Sequence, residues 1–384
     1  MNRNLLSLDF YGGEISAALA ALDEETNTLR IRHVLRRPSK AFCGAFVRDM
    51  QGAQEELTKV FAEVSEYVTA NPSVVVGLRG QFLSFKRASG FKSVDTKNRI
   101  IGEREIEEAT QNSVPFNLSD TLEVVDILPQ SYTIDGNVGI KRPKGMAGFT
   151  LEVETFLSYA MVTHLNNLNN VLSACECNEY QVLPTAVALG ESLVLPEEKQ
   201  AGTLLVDVGA EGTSALMYHK GSLMEAWELP FGLNLRAEAV ADLLQNDVQT
   251  AREVLRDYTP GTDEIMDDVL EDADQKLLSK IKKELLQSLI YLKYPSAQLV
   301  LCGAGADKTF LKAAKKVFGA RKARLAAFDN LIADCPAEQP VYCGALALLR
   351  HALEREQNQV GVSKAKEPGL LDGLLSKLGF GQLF

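Results

Sequence analysis

Nothing in this sequence approaches the ~20 consecutive apolar residues that cross a bilayer, so no transmembrane span is expected. Positive charge is not in excess: 40 Lys and Arg stand against 51 Asp and Glu, a net of −11. That balance excludes a general nucleic-acid binder, because affinity for phosphate backbones needs clustered cations. The cysteines at positions 43, 175, 177, 302, 335 and 343 include no Cys-x-x-Cys pair. Cys175-Glu176-Cys177 is too tight and too isolated for a structural zinc site. Low-complexity segments are lacking as well. Met1-Asn2-Arg3-Asn4 leads straight into an apolar strand pattern, without the features of a signal peptide. The expected compartment is the cytoplasm, with reduced thiols.

At 384 residues, with 46% apolar and 24% charged residues, the chain exceeds one compact core and suits two or more domains. Leu5 to Leu8, a turn at Gly12-Gly13 and Ile15 to Ala21 read as strand, hairpin and strand. Residues 51–70 follow a helical period through Leu57, Val60, Phe61, Val64 and Val68. Ser73 to Leu78 reads as a buried strand and residues 103–115 as a charged helix. Residues 121–128 and 149–157 read as strands flanking a loop punctuated by Gly and Pro, and 158–174 as a helix. Residues 234–258 and 263–292 are expected to be mainly helical, and a last helix covers 340–356. Lys280, Lys282 and Lys283 follow an acidic run from Asp263 to Asp274, the pattern of a solvated helical face.

The informative pattern is a repeat. Leu8-Asp9 before a glycine turn and a strand recurs as Val206-Asp207 before Gly209 to Gly212 and Thr213 to Tyr218. A third strand, Gln298 to Leu301, opens onto Cys302-Gly303-Ala304-Gly305. Glycine turns let backbone N–H groups approach phosphate oxygens. An aspartate ending the preceding strand can hold the waters of a bound Mg²⁺. Two such units facing each other would clamp a triphosphate, with Gly303 and Gly305 beside the adenosine. The plain alternative is that Asp9 and Asp207 only cap their own hairpins.

The chain resembles the FtsA family of bacterial cell-division proteins over nearly its whole length. The most specific stretch is Leu128-Pro129-Gln130-Ser131-Tyr132-Thr133-Ile134-Asp135-Gly136, followed by Gly139 to Gly148 and Leu151-Glu152-Val153-Glu154. Gly44 with Asp49, Val76-Gly77-Leu78-Arg79-Gly80 and the closing Tyr342-x-x-Ala345-Leu346-Ala347 also fit. The resemblance implies an α/β, actin-like fold: duplicated ribonuclease-H-type halves around a cleft, with the FtsA-type inserted subdomain 1C. It implies subdomain 1A at 1–84 plus 163–196, 1C at 85–162, 2A at 197–230 plus 295–356 and 2B at 231–294. A linker at 357–368 and an amphipathic membrane-targeting helix at 369–384 would follow.

The same resemblance implies an adaptor that ties filaments of tubulin-like FtsZ to the inner face of the cell membrane at the division site. It implies self-assembly through 1C, and contact with other division proteins. Lys280, Lys282 and Lys283 are the expected contact for the acidic FtsZ C-terminal peptide. In the tail, Leu371, Leu374, Leu375 and Leu378 share helical spacing, with Leu370, Phe380 and Phe384 beside them. That stripe is expected to lie in the lipid headgroup boundary.

For a nucleotide, the implied contacts are Asp9, Gly12, Gly13, Asp207, Gly209, Gly212, Thr213, Gly303 and Gly305. Asp9 and Asp207 would reach Mg²⁺ through water. The loops depart from the family pattern. Tyr11 stands where a glycine is expected, Glu14 replaces a cation, and Glu211 enters the second loop. The hinge at Phe231-Gly232-Leu233 keeps one glycine, and Ser214 replaces an aspartate. The retained aspartates speak for ATP with Mg²⁺, the two glutamates against it, and no general base for efficient hydrolysis stands out. The alternatives are the related actin-like adaptor of pilus assembly, and an actin-fold ATPase or small-molecule kinase.

Overall fold

The computed structural model describes residues 2–357 except 24, 27, 69, 295–297, 330 and 338–339. The expected linker beyond Gln357 and the tail residues Leu370, Leu371, Leu374, Leu375, Leu378, Phe380 and Phe384 lie outside the described residues. Among the described residues no helix is long and apolar enough to cross a membrane.

The first half opens with β1 (Asn2–Phe10), β2 (Glu14–Asp23) and β3 (Thr28–Pro38). A small hairpin, β4 (Phe42–Cys43) with β5 (Phe46–Val47), leads to α1 (Met50–Ser65) and β6 (Ser73–Leu78). An insertion follows: β7 (Leu83–Ser93), α2 (Glu103–Gln111), β8 (Leu122–Ile134), β9 (Asn137–Ile140) and β10 (Thr150–Met161). The half resumes with α3 (Val162–Ala174), β11 (Tyr180–Pro184), α4 (Thr185–Leu193) and α5 (Pro196–Ala201).

The second half starts with β12 (Thr203–Val208), β13 (Thr213–His219) and β14 (Ser222–Leu229). Four helices come next: α6 (Asn234–Leu244), α7 (Val248–Asp257), α8 (Glu264–Leu285) and α9 (Leu289–Lys293). Then come β15 (Gln298–Cys302), α10 (Lys308–Phe318), β16 (Lys322–Leu325), the two-residue β17 (Ile332–Ala333) and α11 (Cys343–Gln357).

The repeat read in the sequence is present down to register. One sheet runs β11-β6-β1-β2-β3-β17 and the other β14-β13-β12-β15-β16. In both, an antiparallel meander is extended by parallel strands on the side of its first member. Asp9 pairs with Ser16 across the first hairpin, and Asp207 with Ser214 across the second. β1 and β12 are buried on both faces, as befits strands that read as apolar runs.

Two helices join the halves. α4 is apolar on all sides, and Thr185 through Gly190 are buried. α11 places Ala345, Leu346, Leu349 and Leu353 against β1, β2 and β3, and Ala347, Leu348 and Ala352 in the core shared with α4 and the second sheet. A helix with two buried faces leaves little room for the halves to part.

The insertion is an antiparallel sheet, β7-β10-β8-β9, with its own core around Val94, Ile101, Ala109, Tyr132, Leu151 and Val153. Residues 158–161, expected to open a helix, instead continue β10, because β8 pairs with it as far as Leu122 and Met161. The strand expected at 121–128 likewise runs on to Ile134. Its register slips at Gln130, between Pro129 and Ser131. A bulge re-aims a side chain, and Gln130 Oε1 accepts the Leu223 N–H of β14 at 2.7 Å. The insertion thus touches the second half.

Gly90 is where α2 approaches β7 most closely. A Cβ there would sit 1.9 Å from the Ala109 carbonyl oxygen and 2.7 Å from the Ser113 nitrogen. Gly90→Ala is therefore expected to destabilise the protein by about 1–3 kcal/mol, an overpacking cost. Urea denaturation checks it, and an unchanged midpoint would contradict the packing described.

Candidate functional site

The cleft is built by the strand ends and turns of the repeat. The first hairpin closes through Gly12 and Gly13, at φ +63° and +75°, with the Tyr11 N–H donating to the Glu14 carbonyl at 2.9 Å. This is the tight two-residue turn in which both central residues need positive φ. Such a turn sends the Tyr11 side chain into the cleft. A Cβ on Gly209 would lie 2.2 Å from the Tyr11 ring, so the ring lies directly on the second turn. A Cβ on Gly12 would be 3.1 Å from Ala210 Cβ. The two phosphate-type turns therefore touch each other.

Between the two aspartates stands Arg79, at the end of β6. Its Nε and Nη2 donate to the Asp9 carboxylate at 2.7 and 3.0 Å, and its Nη1 to Asp207 Oδ2 at 2.5 Å. The three side chains are 4%, 1% and 1% exposed. The guanidinium also lies over the Tyr11 ring, 4.0 Å from its centroid, in cation–π geometry. Thr185 donates its hydroxyl to Asp9 Oδ1 at 3.0 Å. Burial opposes the charged guanidinium, but Asp9 and then Asp207 outweigh it and raise the Arg79 pKa further. Burial, then Asp207, push the Tyr11 and Cys302 pKa values up.

The other expected nucleotide contacts are brought to the same place; Gly12 and Gly212 line the cleft, while several of the rest are spent on the protein itself. The Thr213 hydroxyl donates to the Phe231 carbonyl at 2.9 Å. The Gly212 carbonyl accepts from the Gly209 N–H at 2.9 Å. Leu233 and Asn234, opening α6, donate their N–H groups to the Gly209 and Ala210 carbonyls at 2.8 Å each. A helix start that could bind an anion thus meets carbonyl oxygens. Gly303, at φ +90°, passes so close that a Cβ would sit 2.4 Å from Asp207 Oδ1. Gly305 faces Leu233, whose Cδ1 would lie 2.5 Å from a Cβ there. Glu14 is held by Arg36 on β3, whereas Glu211 does face the cleft.

A cavity of about 690 Å³ opens in front of this cluster, lined by Phe46, Phe82, Glu211, Phe231 and Lys280 among others. None of Asp9, Asp207, Gly303 and Gly305 lines it. A triphosphate with hydrated Mg²⁺ does not fit the residues as they stand. Arg79, Tyr11 and Leu233 fill the positions between the two turns and beside the third loop. Four residues that shape the site, Tyr11, Arg79, Glu228 and Leu233, carry no expected role in the sequence reading. The available signal was positional: through the repeat, Arg79 falls where Ala304 falls in the second half.

The three lysines expected to form one patch do not share a face. Lys280 lies over the Phe231 ring at 4.1 Å. Lys282 donates to the Val317 carbonyl at 2.6 Å, and Lys283 is exposed. Successive helix positions differ by about 100°, so 280 and 283 neighbour each other while 282 turns away.

Glu228 crosses the cleft as well. It accepts from the Gly80 N–H at 3.2 Å and from the Ser214 hydroxyl at 3.0 Å. Burial lifts its pKa from 4.5 to about 7, against the pull of Arg79. A carboxyl raised in the folded state binds more protons folded than unfolded between those values, so its contribution to stability is full below about 4.5 and lost by about 7. Glu228→Gln should remove that part of the pH dependence, at most about 3 kcal/mol at 1.36 kcal/mol per unit. Melting curves of both proteins from pH 5 to about 8 check this. Parallel profiles would refute it.

Compared with known proteins, residues 80–158 match the family described as the SHS2 domain inserted in FtsA. Cell division protein FtsA of Bacillus subtilis is 23% identical over 234 residues, 60% of this chain and 53% of that protein. Cell division protein FtsA of Streptococcus pneumoniae is 20% identical over 333 residues, 80% of this chain and 73% of that protein. The match thus spans about half the length of the first of these relatives. Among solved structures, a chain of the PilM–PilN type IV pilus biogenesis complex superposes with a TM-score of 0.66 at 17% identity, covering 91% of this chain and 98% of that one. MreB5 of Spiroplasma citri bound to AMPPNP gives 0.51 at 12% identity, covering 93% and 98%. These likenesses establish the actin-like fold.

Proposed function

We propose that this chain is a cell-division adaptor of the FtsA kind, carrying filaments of FtsZ to the inner face of the cytoplasmic membrane and assembling on itself, a reading supported by its likeness to FtsA proteins. The observation that carries the reading is the inserted domain at 80–158, which matches the one described for FtsA. Its distinctive stretch forms β8 and the bulge that reaches β14. The insertion is the 1C subdomain of this reading, and it supplies protomer contacts through exposed Val138, Met146 and Phe149. The sheet around β12 belongs to 2A, and helices α6 to α9 form 2B. The C-terminal leucine stripe holds lipid, reversibly for one chain and firmly for many side by side.

A second reading, an adaptor of pilus assembly, is favoured by the TM-score of 0.66 to a chain of the PilM–PilN complex. An actin-fold ATPase or kinase is the weaker alternative, since the nucleotide contacts are turned on one another. The two adaptor readings part at the FtsZ peptide.

For the FtsZ contact we propose the α8 face carrying Lys280 and Lys283, with an acidic peptide as its partner. Lys280→Glu with Lys283→Glu should weaken binding of the FtsZ C-terminal peptide by about tenfold in fluorescence anisotropy, through lost charge complementarity. Lys282→Glu alone should leave it unchanged. Absence of any peptide binding by the unaltered chain would remove the FtsZ reading and leave the pilus one.

For the membrane contact, Leu374→Asp with Leu378→Asp in the full chain should cut co-sedimentation with anionic vesicles about tenfold or more. Each buried leucine contributes ~1.5–3 kcal/mol. Equal sedimentation would sink the lipid role of the tail.

A further inference from the structure

We propose that Arg79 is a built-in cation, occupying the place between Asp9 and Asp207 where a metal–phosphate group would have to stand, and that it latches the two halves shut without nucleotide. The proposal goes beyond the adaptor reading and stands without it.

Asp9 belongs to the first half and Asp207 to the second. A single guanidinium satisfies both, using Nε and Nη2 on one carboxylate and Nη1 on the other. Arginine suits this because its planar fork presents donors in fixed directions and keeps its charge when buried. Two carboxylates at 1% exposure need a cation between them, and the chain supplies one of its own.

The surroundings are fitted to that guanidinium. A Cβ on Gly344 would lie 1.9 Å from Asp9 Oδ2 and 2.5 Å from Arg79 Nη2. On Gly77 it would lie 3.1 Å from Asp9 Oδ1. On Gly303 it would lie 2.4 Å from Asp207 Oδ1. Three residues without side chains, in β6, in the loop after β15 and in α11, wall the cluster. Tyr11 covers the open face of the guanidinium. The adjacent Gly80 N–H bonds to Glu228 of β14, so consecutive residues of the first half are fastened to the second. To admit a nucleotide, Arg79 would have to leave both carboxylates, Tyr11 would have to leave Gly209, and Leu233 would have to leave Gly305. Closure of this cleft is therefore a property of the folded chain.

The first test is calorimetry of the full-length, unaltered chain with MgATP and with MgADP up to millimolar concentration. No heat of binding and no shift in melting temperature is the expected result. Micromolar binding of either nucleotide would overturn the proposal.

Arg79→Ser supplies the second test. It leaves Asp9 and Asp207 facing each other uncompensated, and the melting temperature should fall by about 10 °C or more. Arg79→Lys should recover part of the loss. Millimolar Mg²⁺ should raise the melting temperature of Arg79→Ser and leave that of the unaltered chain unmoved. An Arg79→Ser chain that melts like the original and ignores Mg²⁺ would also overturn the latch. Should Arg79→Ser not fold, the triple variant Asp9→Asn, Arg79→Met, Asp207→Asn removes the charges together. Its recovery as a folded chain supports the charge balance described, and its failure to fold counts against it.

Discussion

Two carboxylates from opposite halves cannot share a dry cleft without a cation between them, and Arg79 is that cation. The Coulomb energy of such a cluster grows as the local dielectric falls, which is also why losing one member of it costs far more than forming it gains. Once the guanidinium is in place, the neighbouring contacts follow. Tyr11 finds a cationic face to cover, Gly209 has to be bare to receive the tyrosine ring, and the opening turn of α6 can spend its N–H groups on the carbonyls of Gly209 and Ala210. The buried α4 and the two-faced α11 then join halves that the ion cluster already holds in register.

An actin-like frame does not of itself dictate what occupies its cleft. This chain places two aspartates, two turns and a glycine loop around one point, with Asp9 paired to Ser16 and Asp207 to Ser214 in matching register. Here the positive charge between the two aspartates is a side chain of the protein itself, Arg79. The division of labour between fold and site is a general one, in which a shared scaffold carries different chemistry.

Much of the frame was legible because its signals are local and repeated. Leu8-Asp9 and Val206-Asp207 announce the duplication, and the stretch from Leu128 to Glu154 announces the insertion. The elements left unread have physical reasons. In β3 four exposed arginines leave a weak apolar pattern, with Ile31 and Leu35 as its buried positions, and Arg30, Arg36 and Arg37 pair with Asp334, Glu14 and Glu63. α4 has no amphipathic period because every side of it is buried. The site was legible as a place and not as an arrangement. Motif reading points each residue toward an absent partner, and no local pattern tells that Arg79 has turned inward. Only the alignment of Val76-Gly77-Leu78-Arg79-Gly80 with Leu301-Cys302-Gly303-Ala304-Gly305, through the sheet registers, puts a large cation opposite a small neutral residue.

The bulge at Gln130 has a mechanical corollary. The inserted sheet is continuous in chain with the first half at Leu83 and at Met161, and it is pinned to the second half by the Gln130–Leu223 bond. On its other side Arg355 of α11 donates to the Ile127 carbonyl at 3.1 Å. A plate continuous with one body and pinned to another cannot turn freely on either, and its outer edge carries Val138 and Phe149 at 80% and 65% exposure. The inserted sheet is thereby a second fastening between the halves, built outside the cleft.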